Sequence, residues 1–424
     1  MGERVIFHID VNSAFLSWEA VYRLDFLGGT LDLREIPAAI GGDIAMRHGI
    51  ILAKSISAKK YGVRTGESIV EAKRKCPDLY LAPPNYGLYE QCSQAFMEIL
   101  REYTSVVEQY SIDEAFMDVT ESRTLFGDPV RLAVKIKDRI RRELGFTVNV
   151  GVSSNKLLAK MASDFQKPDL VHTLFPDEVP EKMWPLPVEE LFLVGRATAR
   201  KLRTMGICTI GDLAKTDLQV IRSNLKKPGE QVWNFANGID HSPVQEEPLA
   251  NKGYGNSTTI AFDVKDAQTA KVVLLGLVET VCARLRRHQV KAELVSISIK
   301  DFQLHSVSHQ KVLDAPTNVT NEVYQTACRL FDELWDHKPI RHLGIHTGRL
   351  KEGEATRQME LFTDMDYEKW AQMDKVVDDI RGKFGMDAVK RASFLVDSHK
   401  QIDHLSGGIS REKRSVDYSK VKID

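Results

Sequence analysis

The sequence predicts an α+β protein in which two separate sheet layers flank a short all-helical segment. Three observations carry that expectation. Residues 1–170 alternate apolar strand signals with amphipathic helices. From about 175 to 237, short helical patterns follow one another with no strand between them. Beyond a linker-like stretch at 243–255, the order strand, helix, strand, strand, helix, strand sets in, which is the ferredoxin-like succession.

Each element has a local cause. Val5-Ile-Phe-His-Ile runs as a strand into Asp10, and 106–120 reads as two short strands with acids near their junction. Residues 18–84, richer in Gly and Lys, read as a smaller insertion. The helix after Gly127 is punctuated at both ends: Asp128 can cap it, Pro129 suits its first turn, and Gly145 ends it. Thr147-Val-Asn-Val-Gly-Val152 then alternates as a strand, with a helix expected at about 155–165. Leu193-Val-Gly-Arg-Ala-Thr-Ala-Arg-Lys-Leu-Arg-Thr-Met-Gly-Ile207 reads as two small helices around a glycine turn. Farther on, strands are expected near 257–262, 294–299, 307–313 and 342–347, with helices at about 267–287 and 320–335. The last seventy or so residues are polar and helix-prone, and the end, 410–424, reads as mobile.

Composition bounds the possibilities. With 424 residues, 43% hydrophobic and a formal net charge of -1, the chain can build two to four cores. No run of about 18 apolar residues occurs, so no membrane span is expected. A strand begins within the first few residues, which leaves no room for a signal peptide. Cys76, Cys92, Cys208, Cys282 and Cys328 are scattered without metal-like spacing and read as packing residues of a monomeric, cytoplasmic protein. The near-neutral balance does not advertise nucleic-acid binding, although residues 251–350 carry a mild basic surplus.

The chemistry-bearing residues are carboxylates. Asp10 stands at a strand end, and Asp113 and Glu114 stand near a hairpin junction. Charge at the edge of a core is costly unless paired or bound to metal. Two strands delivering acids to one place therefore suggest a site for two hard divalent cations handling phosphate. Asp10 before a small-residue turn could instead cap the next helix, and Phe15 could be plain core. Adjacent strand residues face opposite sides, so Asp113 and Glu114 can share a site only at a turn or bulge.

Four motifs together resemble the Y-family of translesion DNA polymerases. They are Asp10-Val-Asn-Ser-Ala-Phe15, Ala58-Lys-Lys-Tyr-Gly-Val63, Ser111-Ile-Asp-Glu-Ala-Phe116, and Gly151-Val-Ser-Ser-Asn-Lys-Leu-Leu-Ala-Lys160 with Lys167-Pro168. The resemblance implies a right-hand polymerase: a ferredoxin-like palm (1–17 and 84–172), small fingers (18–83), a helix-hairpin-helix thumb (173–240), a linker (241–252), a ferredoxin-like little finger (253–350) and a tail (351–424). It implies two Mg²⁺ held by Asp10, Asp113, Glu114 and the Val11 carbonyl, and low-fidelity synthesis past damaged bases. Phe15 would be the steric gate that excludes a ribose 2′-hydroxyl. Lys59 and Lys167 would meet the triphosphate of the incoming deoxynucleotide.

The chain departs from the family pattern, which has Tyr and Arg where Ile56 and Lys59 stand; Ser55 or Ser57 could compensate. Leu193 occupies a position where the hairpin motif usually has Gly. Primer-template DNA would lie on Gly195 and Arg196 of that hairpin, and on little-finger basic residues such as Arg286 and Arg287. Gln358-Met-Glu-Leu-Phe362 resembles the peptide by which bacterial polymerases dock on the sliding clamp, with Leu361 and Phe362 as apolar anchors and Gln358 for orientation. The alternatives are a non-catalytic, polymerase-like adaptor between damaged DNA and the clamp, and a nucleotidyl cyclase. The first typically lacks the acids, and the second needs neither thumb nor little finger.

Overall fold

The computed structural model describes residues 4–42, 49–247, 250–353, 367–385, 388–394, 416 and 418. The chain opens with β1 (Ile6–Val11) and α1 (Ala14–Phe26), then builds a small three-stranded layer from β2 (Ala38–Gly41), β3 (Ile51–Lys54), α2 (Ile56–Lys60), α3 (Ile69–Lys75) and β4 (Tyr80–Ala82). It returns through α4 (Tyr86–Arg101), β5 (Val107–Gln109), β6 (Glu114–Asp118), α5 (Arg123–Phe126), α6 (Pro129–Leu144), β7 (Val148–Ser153), α7 (Lys156–Asp164) and β8 (Val171–Thr173). The resulting sheet has the order β5-β6-β1-β7-β8, with β1 central and antiparallel to both neighbours.

Alternation along β1 divides its work between the two faces. Phe7, Ile9 and Val11 enter the main core with Phe96 and Leu100 of α4 and Leu132 and Ile136 of α6. Ile6 packs on the other face with Phe116 and Ala159 of α7, and His8 and Asp10 follow it there by the period of two. Gly151 lies opposite His8 in the ladder. A Cβ at that position would stand 1.9 Å from the Ala159 carbonyl oxygen, so glycine is what lets α7 lie directly on the sheet. The α6 punctuation is as expected: the Asp128 side chain accepts from the Arg131 amide, and Gly145 closes the helix at φ 73°.

The middle segment contains α8 (Val179–Lys182), α9 (Arg196–Thr204), α10 (Ile210–Lys215) and α11 (Leu218–Ala236), packed around Leu202, Leu213 and Ile221. Residues 193–207 hold one helix rather than two; its partner, α10, begins at Ile210, where a Thr209–Asp212 capping box starts it. The C-terminal layer runs β9 (Gly253–Val264), α12 (Ala267–Arg287), β10 (Val290–Asp301), β11 (Ser306–Thr317), α13 (Thr320–Leu334) and β12 (Ile340–Glu352). The element order matches expectation, but the strand order is β11-β10-β12-β9. The second and fourth strands are therefore central, where a ferredoxin-like sheet centres the first and third. Element order alone does not decide which strands become neighbours.

The tail does not hang free of this layer. In α14 (Tyr367–Phe384), Asp374 and Asp378 engage Arg286, and Arg381 engages the buried Glu279 of α12, as does Arg391 beyond the helix. Phe394 enters the same core. Between these elements lies a cavity of about 480 Å³ lined by Leu275, Trp370, Met373 and Val377 among others. Near the chain end, where mobility was expected, Tyr418 is seated: it donates to Glu19 Oε2 at 2.9 Å and accepts from Asn85 Nδ2 at 3.0 Å. Among the described residues no helix is long and apolar enough to cross a membrane.

Candidate active site

The register of β1 and β6 sets Asp10 directly opposite Glu114. Opposed residues of an antiparallel pair share a face, so both carboxylates point toward α7. Asp10 is not a helix cap: α1 is preceded by Ser13, which stands at φ 50° without a side-chain cap bond. Asp113 lies just before β6, where its carbonyl accepts from the Val11 amide at 3.0 Å. Its carboxylate accepts from Ser111 Oγ at 2.7 Å.

The structure thus brings Asp10 and Glu114 together and holds Asp113 beside Val11, one residue before the shared face. Among the described residues no three His, Cys, Asp or Glu side chains gather closely enough to hold a metal ion. Lysines neutralise the facing pair instead. Lys167 Nζ donates to Asp10 Oδ2 and lies 2.9 Å from Asp164, while Lys160 Nζ donates to Glu114 Oε2 at 2.7 Å.

The two facing carboxyls are driven apart in acidity. Burial pushes Asp10 up to about 6, with the Lys167 charge opposing it. For Glu114, burial also raises the pKa, but His8 and Lys160 opposite it outweigh burial and hold it at about 2. At Lys167, burial works against the charge; Asp10 and Asp164 outweigh it and keep the pKa above the usual lysine value. Asp10 is thus a buried carboxylate whose pKa is raised by burial even with Lys167 paired to it. The donors of the cluster are oxygens only, which fits a hard divalent cation.

Phe15 is the second residue of α1, five positions after Asp10. It is half-buried and stacks on Tyr89 of α4, with centroids 4.4 Å apart and planes 9° apart. The phenyl is thereby braced from one side. In the small layer, Lys59 is exposed on α2. Burial, and after it the charge of Lys59, lowers the pKa of Lys54, which donates to Thr65. Ser55 is committed to the fold: its hydroxyl donates to the Ile36 carbonyl at 2.7 Å and accepts from the Ala58 amide at 3.0 Å. That engagement, with its near-complete burial, removes Ser55 from the expected nucleotide contacts.

Gly195 and Arg196 lie exposed at the N-terminus of α9. Leu193 holds φ 68°, so the backbone keeps the left-handed turn although glycine is absent. Arg286 corrects an expectation. Its guanidinium engages Asp374, Asp378, the Asn318 carbonyl and Thr320, and is therefore occupied in fixing α14 rather than presented to DNA. Arg287 is exposed at the end of α12. Gln358, Leu361 and Phe362 lie outside the described residues.

Sequence reasoning missed three side chains of the α7 face. His8 is fully buried, with Nδ1 2.7 Å from Ser163 Oγ. Asn149, opposite Asp10, donates to the carbonyls of Ser163 and Gln166 and so anchors the loop that carries Lys167. Lys160 meets Glu114. Parity with Asp10 on β1 is the signal for His8, and a helical spacing of four from Lys156 is the signal for Lys160; Asn149 meets Asp10 only through the pairing of β7 with β1.

A phosphate-handling transferase is the class of protein that this fold and site define: facing carboxylates paired with lysines, an aromatic braced at the start of the next helix, a helical hairpin and a second sheet layer. Comparison with known proteins gives the family. Residues 9–164 match the impB/mucB/samB family, 176–207 the helix-hairpin-helix motif of the same group (IMS family HHH motif), and 251–361 its C-terminal domain. The chain is 43% identical over 398 residues to DNA polymerase IV of Clostridium acetobutylicum, covering 94% of this chain and all of that one. It is 41% identical over 399 residues to DNA polymerase IV of Acetivibrio thermocellus, covering 93% and 98%. A solved Y-family DNA polymerase chimera, Dbh-Dpo4(243-245)-Dbh, superposes with a TM-score of 0.72 at 23% identity, over 82% of this chain and all of that one. The chain belongs to the impB/mucB/samB family, the Y-family translesion DNA polymerases of the DNA polymerase IV type.

Proposed function

We propose that this chain extends a primer along template DNA, past damaged bases, by a two-metal nucleotidyl transfer centred on Asp10, Asp113 and Glu114. The observation that carries the reading is the pairing of Asp10 with Glu114 across β1 and β6, together with the braced ring of Phe15. The three acids and the Val11 carbonyl would hold two Mg²⁺. When bound, the cations lower the pKa of the primer 3′-hydroxyl and neutralise the triphosphate and the departing pyrophosphate. Lys167 and Lys59 supply positive charge to the triphosphate as point charges. Phe15 lies under the sugar and leaves no room for a 2′-hydroxyl. Gly195 and Arg196 hold duplex phosphate without reading sequence.

Gln358-Met-Glu-Leu-Phe362 docks the enzyme on the sliding clamp of a cytoplasmic replication fork. The small fingers enclose the nascent pair loosely, so wrong pairs are weakly rejected. Primer extension on a defined template tests the core of this reading. Asp10→Asn and Glu114→Gln are each expected to lower kcat by about 10³-fold or more with folding intact, and chelation of divalent cations is expected to abolish extension. Full turnover by either variant would remove the carboxylates from the chemistry.

A further inference from the structure

Lys160 is held by more than its ion pair. Its ammonium lies 2.7 Å from Glu114 Oε2 and 3.5 Å from His8 Nε2. The Ser163 hydroxyl gives its one proton to the Lys160 carbonyl at 2.8 Å, so its oxygen can only accept from His8 Nδ1. That bond places a proton on Nδ1, and Nε2 faces both Lys160 and, at 3.6 Å, Glu114 Oε2. Two aromatic rings complete the socket: Tyr110 with its centroid 5.2 Å from Nζ, and Phe192 at 5.5 Å.

These rings belong to different parts of the molecule. Tyr110 sits in the hairpin that delivers Asp113 and Glu114 and meets Phe116 edge-on at 5.5 Å. Phe192 belongs to the thumb, where it stacks on Phe235 of α11 at 6.2 Å. It lies three residues before Gly195, the start of the helix proposed to hold DNA. One buried cation therefore touches both a catalytic carboxylate and the base of the DNA-holding hairpin.

We propose that Lys160 is a positioning residue for nucleotidyl transfer. It fixes the orientation of Glu114 and ties it to the thumb through Phe192, so that a thumb seated on DNA and a correctly aimed carboxylate go together. The inference rests on the reading of Glu114 as a catalytic acid. Lys160 touches neither nucleotide nor DNA in this account. Its loss should therefore appear in turnover and not in nucleotide binding.

Single-nucleotide incorporation by the full chain, with Mn²⁺ binding to the free enzyme measured separately by electron paramagnetic resonance, tests the proposal. Lys160→Met is expected to lower kcat by about 10- to 100-fold with the nucleotide KM within about threefold of the parent. It should tighten Mn²⁺ binding several-fold, roughly, because a competing ammonium is gone. Lys160→Arg, which keeps the charge and stacks on aromatic faces, is expected to recover most of the kcat. Phe192→Leu should lower kcat a few-fold, roughly, in the parent and add nothing in the Lys160→Met background, since contacting residues on one path are not additive. An unchanged kcat in Lys160→Met, or independent multiplication of the two effects, overturns the proposal. If Lys160→Met does not fold, an unchanged kcat in Phe192→Leu overturns the thumb coupling by itself. Glu114→Gln serves as the control: retained turnover there sinks the reading of the site, whereas a dead Glu114→Gln beside a fully active Lys160→Met sinks only this inference.

Discussion

Leu193, an aliphatic residue half exposed at φ 68°, shows how a single position can keep a turn its side chain disfavours. Left-handed backbone costs an L-residue about 1–2 kcal/mol, and Leu193 recovers little of that by burial. Leu193→Gly is expected to stabilise the chain by up to about 1 kcal/mol, because relief of strain exceeds the entropy that glycine adds to the unfolded state. Urea unfolding with an unchanged slope measures it. Under the proposed function, sugar selection is decided at Phe15. Phe15→Ala should cost about a hundredfold or more in discrimination against ribonucleotides, read as the ratio of kcat/KM for the two sugars; unchanged discrimination would remove the gate role. At this scale Asp10, Glu114 and Phe15 are legible in the sequence because their motifs are local. His8, Asn149 and Lys160 are not, because each becomes polar furniture of the site only when α7 lies on the sheet.

The element that builds the site is α7. It brings Lys160 to Glu114 and, through its C-terminal loop, Lys167 to Asp10. Its closeness depends on the bare backbone of Gly151, where a methyl carbon would sit 1.9 Å from the Ala159 oxygen, far inside van der Waals contact. Gly151→Ala is expected to destabilise the protein by about 3 kcal/mol or more, since backbone cannot yield as a flexible side chain does. It should also lower kcat, because lifting α7 withdraws both lysines. A melting curve and a primer-extension assay on the same preparation check the two effects together. The sequence announces α7 by its spacing and by the Asn155 cap, whose Oδ1 accepts from the Leu158 amide. Nothing local announces how tightly it packs.

For the whole molecule, the layers have different duties: one carries the acids, the helical middle carries the hairpin, and the C-terminal layer is braced by α14. The buried Glu279, bridging Arg381 and Arg391, and Arg286, bridging Asp374 and Asp378, hold α14 to its layer. The proposed clamp peptide lies between β12 and α14 in the chain, so its anchoring is separable from catalysis. Leu361→Ala with Phe362→Ala should abolish binding to the sliding clamp in a pull-down while leaving clamp-free primer extension within about twofold of the parent. Intact clamp binding would sink the docking assignment.

The sequence by itself determined the succession of strands and helices, their punctuation, and the motifs that carry the acids and Phe15. These depend on residues a few positions apart, which feel one another in any conformation. Only the tertiary structure decided which strands of the C-terminal layer are neighbours, that Arg286 is spent on α14, that Ser55 serves the backbone, and that two lysines face the carboxylates. Those outcomes join residues as distant as Asp10 and Lys167. Contacts at such separation are selected by packing and charge balance across the whole chain, which no local window contains.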